Sequence, residues 1–304
     1  MPAERNIHGW LVIDKPSGLT SNRVVERIRR STGAKAGHAG TLDPLATGVL
    51  PVALGEATKT VSYAMSGRKC YRFCVCWGVA RATDDCEGAI VGETGARPGA
   101  AAIEAVLPRF IGTVAQTPPV FSAIKVAGRR AYALARADMP PQLSARPVEI
   151  SSLRLIATPD QDHAEFEAVV GKGTYIRALA RDLAAELGTL GHVTALRRLS
   201  VGPFTERQAI SLEFSTDPRH LMSACRGLLP IETALDGVTA VVLAAADADG
   251  LRCGRRVMPG DVAGRAQLGG LAAGSVVSAW HNQALIGLAR IEDGGLRPLR
   301  IINC

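Results

Sequence analysis

The chain has no CxxC pair and no second ligand pair at zinc spacing, although it carries seven cysteines. Cys70, Cys74, Cys76 and Cys86 cluster loosely, and Cys74 and Cys76 would share one face of a strand, which favours packing. The seven therefore read as reduced thiols of a cytoplasmic protein. There is no P-loop, no dinucleotide fingerprint and no metal-ligand cluster, so no cofactor and no metal are expected. No apolar run approaches the ~20 residues a membrane span requires. The first residues, MPAERNIHGWLVIDKPSG, lack a signal-peptide pattern. A dense basic tail and internal repeats are missing too.

The 304 residues suffice for one large domain plus a small one, and 47% of them are hydrophobic, enough for a sizeable core. A formal charge of +7 and a pI near 9.2 suit a polyanionic partner. The arginines are spread along the sequence, so a basic surface must be assembled by folding.

Most of the chemistry gathers in Gly37 to Gly55, GHAGTLDPLATGVLPVALG. Pro44 pushes Asp43 onto an extended or turn backbone. Gly40 and Gly48 allow close approach or positive φ. A lone carboxylate displayed this way, with no second acid beside it, suits a nucleophile or base better than a metal cage, although Asp-Pro segments are commonly plain turns. His38, five residues earlier, is either an incidental loop histidine or a contact to a ligand.

Gly9 to Ile13 reads as a buried strand that ends in the turn Asp14-Lys15-Pro16-Ser17-Gly18, where Lys15 is a solvated turn lysine on composition alone. Thr20 or Ser21 can cap a helix with Val24, Val25 and Ile28 inward, closing near Gly33. Val49 to Leu54 is a strand and Glu56 to Met65 is helical. Arg68 to Trp77 alternates, with Tyr71, Phe73, Val75 and Trp77 on one face. Tyr71 is thus a core tyrosine or a platform for a flipped base. Thr83 to Gly88 is a polar turn, Ala101 to Phe110 a helix, and Gln116 to Lys125 an extended double-proline segment.

Gly128 to Ala137 is a basic, helix-compatible stretch. Val148 to Ala157 and Ala164 to Val170 read as strands, and Thr174 as the N-cap of a helix whose buried stripe is Ile176, Leu179, Ala180, Leu183 and Leu187. Arg177 sits in the first turn of that helix, unfavourably for the dipole, and so gains from a carboxylate partner, for which Asp43 is the candidate. Leu196 reads as core. Glu213 to Asp236 lacks periodicity and suggests a linker. Residues 240 to 304 suggest short strands of a small β-barrel.

These segments resemble the TruB family of tRNA pseudouridine synthases: GHAGTLDPLATGVLPVALGEATK, the turn DKPSGLTS, Lys69-Cys70-Tyr71, TDDCEG, QTPPVFSAIK, GKGTYIRALARDL and HVTALRRL. The resemblance covers roughly residues 9 to 210, and the C-terminal block more faintly resembles a PUA domain. It implies an α+β fold: a mixed or antiparallel-sheet catalytic domain over 1–235, with an RNA-clasping insertion around 112–140, and a PUA-like β-barrel over 240–304. It implies cofactor-free isomerisation of uridine 55 in the tRNA T arm by base flipping. Asp43 is then catalytic, Arg177 its partner and Tyr71 the stacking ring. His38, Tyr175 and Leu196 line the pocket, Lys15 binds substrate from a turn that lies near the active site and braces the catalytic loop, and Lys125, Arg129 and Arg130 contact phosphates. The expected partner is the tRNA T-arm stem-loop, with no membrane, no obligate protein partner and a monomeric state. Two other classes stay open: a non-catalytic RNA-binding protein or tRNA chaperone, and a metal-dependent hydrolase using His38 and Asp43. A guide-RNA-dependent relative would be expected to carry long basic extensions.

Overall fold

The structure, a computed structural model, describes residues 7–126, 128–137, 139–211, 227–258, 268 and 270–304. Its strands run in chain order β1 (Gly9–Lys15), β2 (Ala36–His38), β3 (Thr47–Leu54), β4 (Lys69–Trp77), β5 (Val79–Arg81), β6 (Ile90–Glu93), β7 (Gly112–Gln116), β8 (Lys125–Val126) and β9 (Arg129–Arg130). They continue as β10 (Arg146–Ala157), β11 (His163–Val170), β12 (Gly191–Val201), β13 (Phe204–Thr205), β14 (Ile210–Ser211), β15 (Ala240–Val242), β16 (Val276–His281), β17 (Ala284–Glu292) and β18 (Gly295–Ile301).

One large mixed sheet dominates, in the order β14-β1-β3-β12-β4-β11-β10-β7, with β2 on β3 and β13 on β12. The β1–β14 and β3–β12 pairings are parallel, whereas β4 runs antiparallel to both β12 and β11. The near-continuous apolar run of β3 buries seven of its eight residues, as a strand covered on both faces must. β4 shows the expected alternation, with Lys69, Tyr71, Phe73, Val75 and Trp77 all buried.

One face carries the helices Ser21–Thr32 and Ile176–Glu186, whose Val24, Ile28, Ile176, Leu179 and Leu183 share a core with Leu50, Phe73, Phe166 and Leu196. The other face packs Trp10, Val49, Phe204, Ile231 and Ala234 together. At the Ser21–Thr32 helix, Thr20 caps the Arg23 amide and Gly33 closes the end at φ 71. Among the described residues no helix is long and apolar enough to cross a membrane.

The structure revises four local expectations. Thr174 does not cap its helix: its hydroxyl donates to the Glu149 and Gly171 carbonyls, and Tyr175 is the N-cap. The basic stretch around Arg129 is not helical at its start, because Lys125–Val126 and Arg129–Arg130 pair as a two-stranded hairpin. The linker expected over Glu213 to Asp236 is not one where it is described, from 227 on. Residues 212–226 lie outside the described residues, but Leu229 pairs with Trp10, and Ile231, Ala234 and Leu235 are buried. Finally, the C-terminal block is a four-stranded sheet in the order β15-β16-β17-β18 with the helix Ala245–Arg252 against it. The glycine-rich GLRC stretch, expected as strand, thus begins inside a helix, and among the described residues the sheet's two end strands do not pair to close a barrel.

Candidate active site

Asp43 occupies the tip of the loop between β2 and β3, and the loop is fastened on both sides. Leu42, Leu45 and Ala46 are buried beneath it. The Ser21 hydroxyl accepts from the Leu42 amide at 2.8 Å and donates to the Leu42 carbonyl at 3.0 Å. The Gly18 amide donates to the Pro44 carbonyl at 2.8 Å, and Ser17 Oγ to the Leu45 carbonyl at 3.1 Å. The turn DKPSG therefore braces the loop directly.

Lys15 is the centre of that brace. Its side chain is wholly buried, and Nζ donates to the carbonyls of Pro16, Leu19 and Pro44 at 2.9, 2.7 and 3.1 Å. An ammonium has three donors, and all are engaged. Lys15 is therefore neither a solvated turn lysine nor placed to touch substrate. Burial lowers its pKa to about 8, with Asp43 and Glu87 pulling the other way.

A second buried cation holds the loop from below. Arg198, on β12, donates from Nε to the Val49 carbonyl at 2.8 Å and from Nη2 to the Gly40 carbonyl at 3.0 Å. It thus ties together the backbone before and after Asp43. Gly48 makes this possible. Its φ is 97°, and a Cβ there would lie 2.2 Å from the Arg198 carbonyl oxygen.

Arg177 comes in from the Ile176–Glu186 helix. Its Nε lies 2.8 Å from Asp43 Oδ2, while Nη1 donates to the Thr83 carbonyl at 2.7 Å and Nη2 to the Phe121 carbonyl at 3.0 Å. The guanidinium is 5% exposed against 33% for the carboxylate, so the acid, not the base, faces the opening. Burial alone would lower the Arg177 pKa, but Asp43, Asp85 and Asp84 outweigh it and raise it. The pair expected from the helix-dipole argument is present.

Asp43 is not the lone acid of this site. Asp85 Oδ2 is 3.5 Å from Arg177 Nε and is itself buried, and Asp84 pairs with Arg181 at 3.0 Å. Both come from the Thr83–Gly88 segment between β5 and β6, which reads from sequence as no more than a polar turn. Two acids in tandem there were the available signal.

Tyr175 is clamped by a residue that sequence reading passed over. Gln116 is 2% exposed; its Oε1 accepts from the Tyr175 amide at 2.8 Å and its Nε2 donates to the Tyr175 carbonyl at 3.1 Å. This amide-to-backbone pair fixes Tyr175 in extended conformation, so that the helix begins at Ile176 and Arg177 falls in its first turn. Arg146 stands 5.5 Å from the centre of the Tyr175 ring.

The remaining residues divide. Tyr71 and Leu196 are 9% and 7% exposed and belong to the same core as Leu42 and Ile176. Tyr71 lies opposite Arg198 across β4 and β12. His38 Nε2 is 3.2 Å from Asn22 Oδ1, and burial and then Arg198 depress its pKa, so the ring is neutral at pH 7. Its Nδ1 is buried without a hydrogen-bond partner. Lys125, Arg129 and Arg130 are exposed on the β8–β9 hairpin, outside this cluster. Among the described residues no group of His, Cys, Asp and Glu could hold a metal ion.

Two solved structures share this fold. The chain superposes on a chain of a Cbf5–Nop10–Gar1 complex with a TM-score of 0.75 at 23% identity, covering 97% of this chain and 85% of that one. A chain of an H/ACA RNP bound to a substrate RNA containing 2′-deoxyuridine gives 0.73 at 22% identity, covering 97% and 85%. At these identities the likeness concerns the fold.

The sequence comparisons are closer. Residues 28–176 match the TruB family pseudouridylate synthase N-terminal domain, and residues 177–236 the tRNA pseudouridylate synthase B C-terminal domain. The tRNA pseudouridine synthase B of Rhodospirillum rubrum is 53% identical over 298 residues, covering 98% of this chain and 97% of that protein. That of Gluconacetobacter diazotrophicus is 50% identical over 300 residues, covering 98% of each. The chain belongs to the TruB family of tRNA pseudouridine synthases.

Proposed function

We propose that this chain isomerises uridine 55 in the T arm of tRNA to pseudouridine, with Asp43 as the catalytic carboxylate. The observation that carries this reading is the 2.8 Å pair between Asp43 and Arg177, with the carboxylate turned outward and the guanidinium held from behind. An acid so placed is oriented before substrate arrives, which is the preorganisation catalysis requires.

The reaction breaks the C1′–N1 bond, rotates the uracil and forms a C1′–C5 bond; the C5 proton leaves and N1 gains one, so atoms and electrons balance without an external reagent. The target base must first be extruded from the loop at a cost of a few kcal/mol in stacking. Tyr71, Tyr175 and Leu196 offset that cost by stacking and apolar contact, and the neutral His38 ring enters the space the base vacates. The insertion around 112–140 clasps the stem-loop, with Lys125, Arg129 and Arg130 on phosphates. Residues 1–235 act as the catalytic domain and 240–304 as a PUA-like RNA-binding unit. The enzyme works as a monomer in the cytoplasm, where its substrate is.

The test is tritium release from a T-arm stem-loop labelled at C5 of its uridines. Release from the natural loop and none from a loop with cytidine at position 55 is the expected result. Equal release from both would refute the assignment of position 55.

A further inference from the structure

The Ser21–Thr32 helix buries Ser21, Val24, Ile28 and Thr32. The opposite face carries Arg23, Arg27 and Arg30, at i, i+4 and i+7, and all are exposed. The helix sequence SNRVVERIRRST holds one acid, Glu26, which pairs with Arg30. Its first turn holds no acid at all, and Arg23 lies there against the helix dipole. Like charges three and four residues apart repel along the same stripe.

The stripe also has a direction. Its N-terminal end is bolted to the catalytic loop: Ser21 exchanges two hydrogen bonds with Leu42, and Asn22 contacts His38. Arg23 follows immediately. At 1.5 Å per residue, the guanidinium row from Arg23 to Arg30 extends ~10 Å away from that loop. This is a row of cations leading outward from the opening where Asp43 is displayed.

We propose that Arg23, Arg27 and Arg30 form a second phosphate-binding surface, which receives the tRNA backbone beyond the T loop. The inference rests on the functional reading above and adds to it an interface on the Ser21–Thr32 helix, separate from the β8–β9 hairpin. Charge complementarity and continuity with the catalytic loop select a phosphodiester backbone as the occupant. Arginine forks suit phosphate oxygens, and each contact made releases condensed counterions.

The test replaces Arg23, Arg27 and Arg30 together with Gln and measures Kd for full-length tRNA across a potassium chloride series. A charge-matched control replaces the exposed Arg109, Arg154 and Arg252, which pair with Glu186, Glu167 and Asp249. All three stripe residues are exposed, so the variant is expected to fold normally, checked by its melting temperature. The expected result is a salt slope shallower by about 2–3 and a Kd raised roughly tenfold or more at physiological salt, with kcat at saturating tRNA unchanged and the control near wild type. A slope and Kd equal to wild type would overturn the proposal, as would an equal loss in the control. Tritium release is read in the same samples. A wild type that isomerises while the stripe variant binds normally refutes the surface alone; a shallower slope without release by wild type supports the surface and refutes the activity.

Discussion

Replacing Arg177 with Lys tests how much of the site depends on a planar guanidinium rather than on positive charge. Arg177 makes three hydrogen bonds in three directions, to Asp43, to the Thr83 carbonyl and to the Phe121 carbonyl. A lysine ammonium can keep the Asp43 contact, but it cannot present a rigid fork to two carbonyls on opposite sides. Each carbonyl left without its buried donor costs about 1–2 kcal/mol. The sum, about 3 kcal/mol, falls on the orientation of Asp43 and corresponds to roughly a hundredfold loss in turnover at about 1.4 kcal/mol per decade. Single-turnover tritium release at saturating tRNA measures this step without interference from binding. The expected result is a rate down roughly a hundredfold with Kd for tRNA within a few-fold of wild type. A rate within about threefold of wild type would refute the ion-pair account, because charge alone would then suffice.

Two further outcomes follow from the supports of the loop and helix. Gln116→Glu keeps the bond from the Tyr175 amide but sets an oxygen against the Tyr175 carbonyl, so kcat is expected to fall ~10-fold or more with KM little changed. The same substitution in a Tyr175→Ala background should cost less than in the wild type, because the share of the loss that passes through the Tyr175 ring is already gone, while the share that passes through the residue-175 backbone to Arg177 remains. Fully additive losses in that double-mutant cycle would mean that Gln116 does not act through the Tyr175 ring. Lys15, whose pKa is lowered to about 8, is charged below that pH and gives up one of its three donors as pH rises through it. The catalytic loop then loses a tether, so the pH profile of kcat should decline above about 8. Lys15→Arg, which does not deprotonate in this range, should remove that limb; a limb at the same pH in the variant would assign it to another group.

Much of the site was legible in the sequence because its parts are short-range. Asp43 before a proline, Arg177 in the first turn of an amphipathic helix and Tyr71 on the buried phase of an alternating strand each follow from local rules. The missing residues act over long sequence distances. Gln116 reaches Tyr175 across 59 positions, and Arg198 reaches Gly40 across 158. Neither has a local signature, since a buried glutamine or arginine looks like a surface residue until its backbone partners are in place. Lys15 was misjudged for the same reason: turn composition suggests solvent, while three carbonyls that only the folded loop assembles make burial tolerable. The hairpin of Lys125 to Arg130 depends on a turn within a stretch of helix-compatible composition, and the segment at 227–235 owes its order to packing on Trp10 rather than to periodicity of its own.

The most direct test of the central claim compares wild type with Asp43→Asn, in EDTA, on a C5-tritiated T-arm stem-loop. Asparagine keeps the size of the side chain and removes its charge. The account predicts release by wild type, none by the variant, and RNA affinity retained by both. Release by Asp43→Asn at a substantial fraction of the wild-type rate would contradict it.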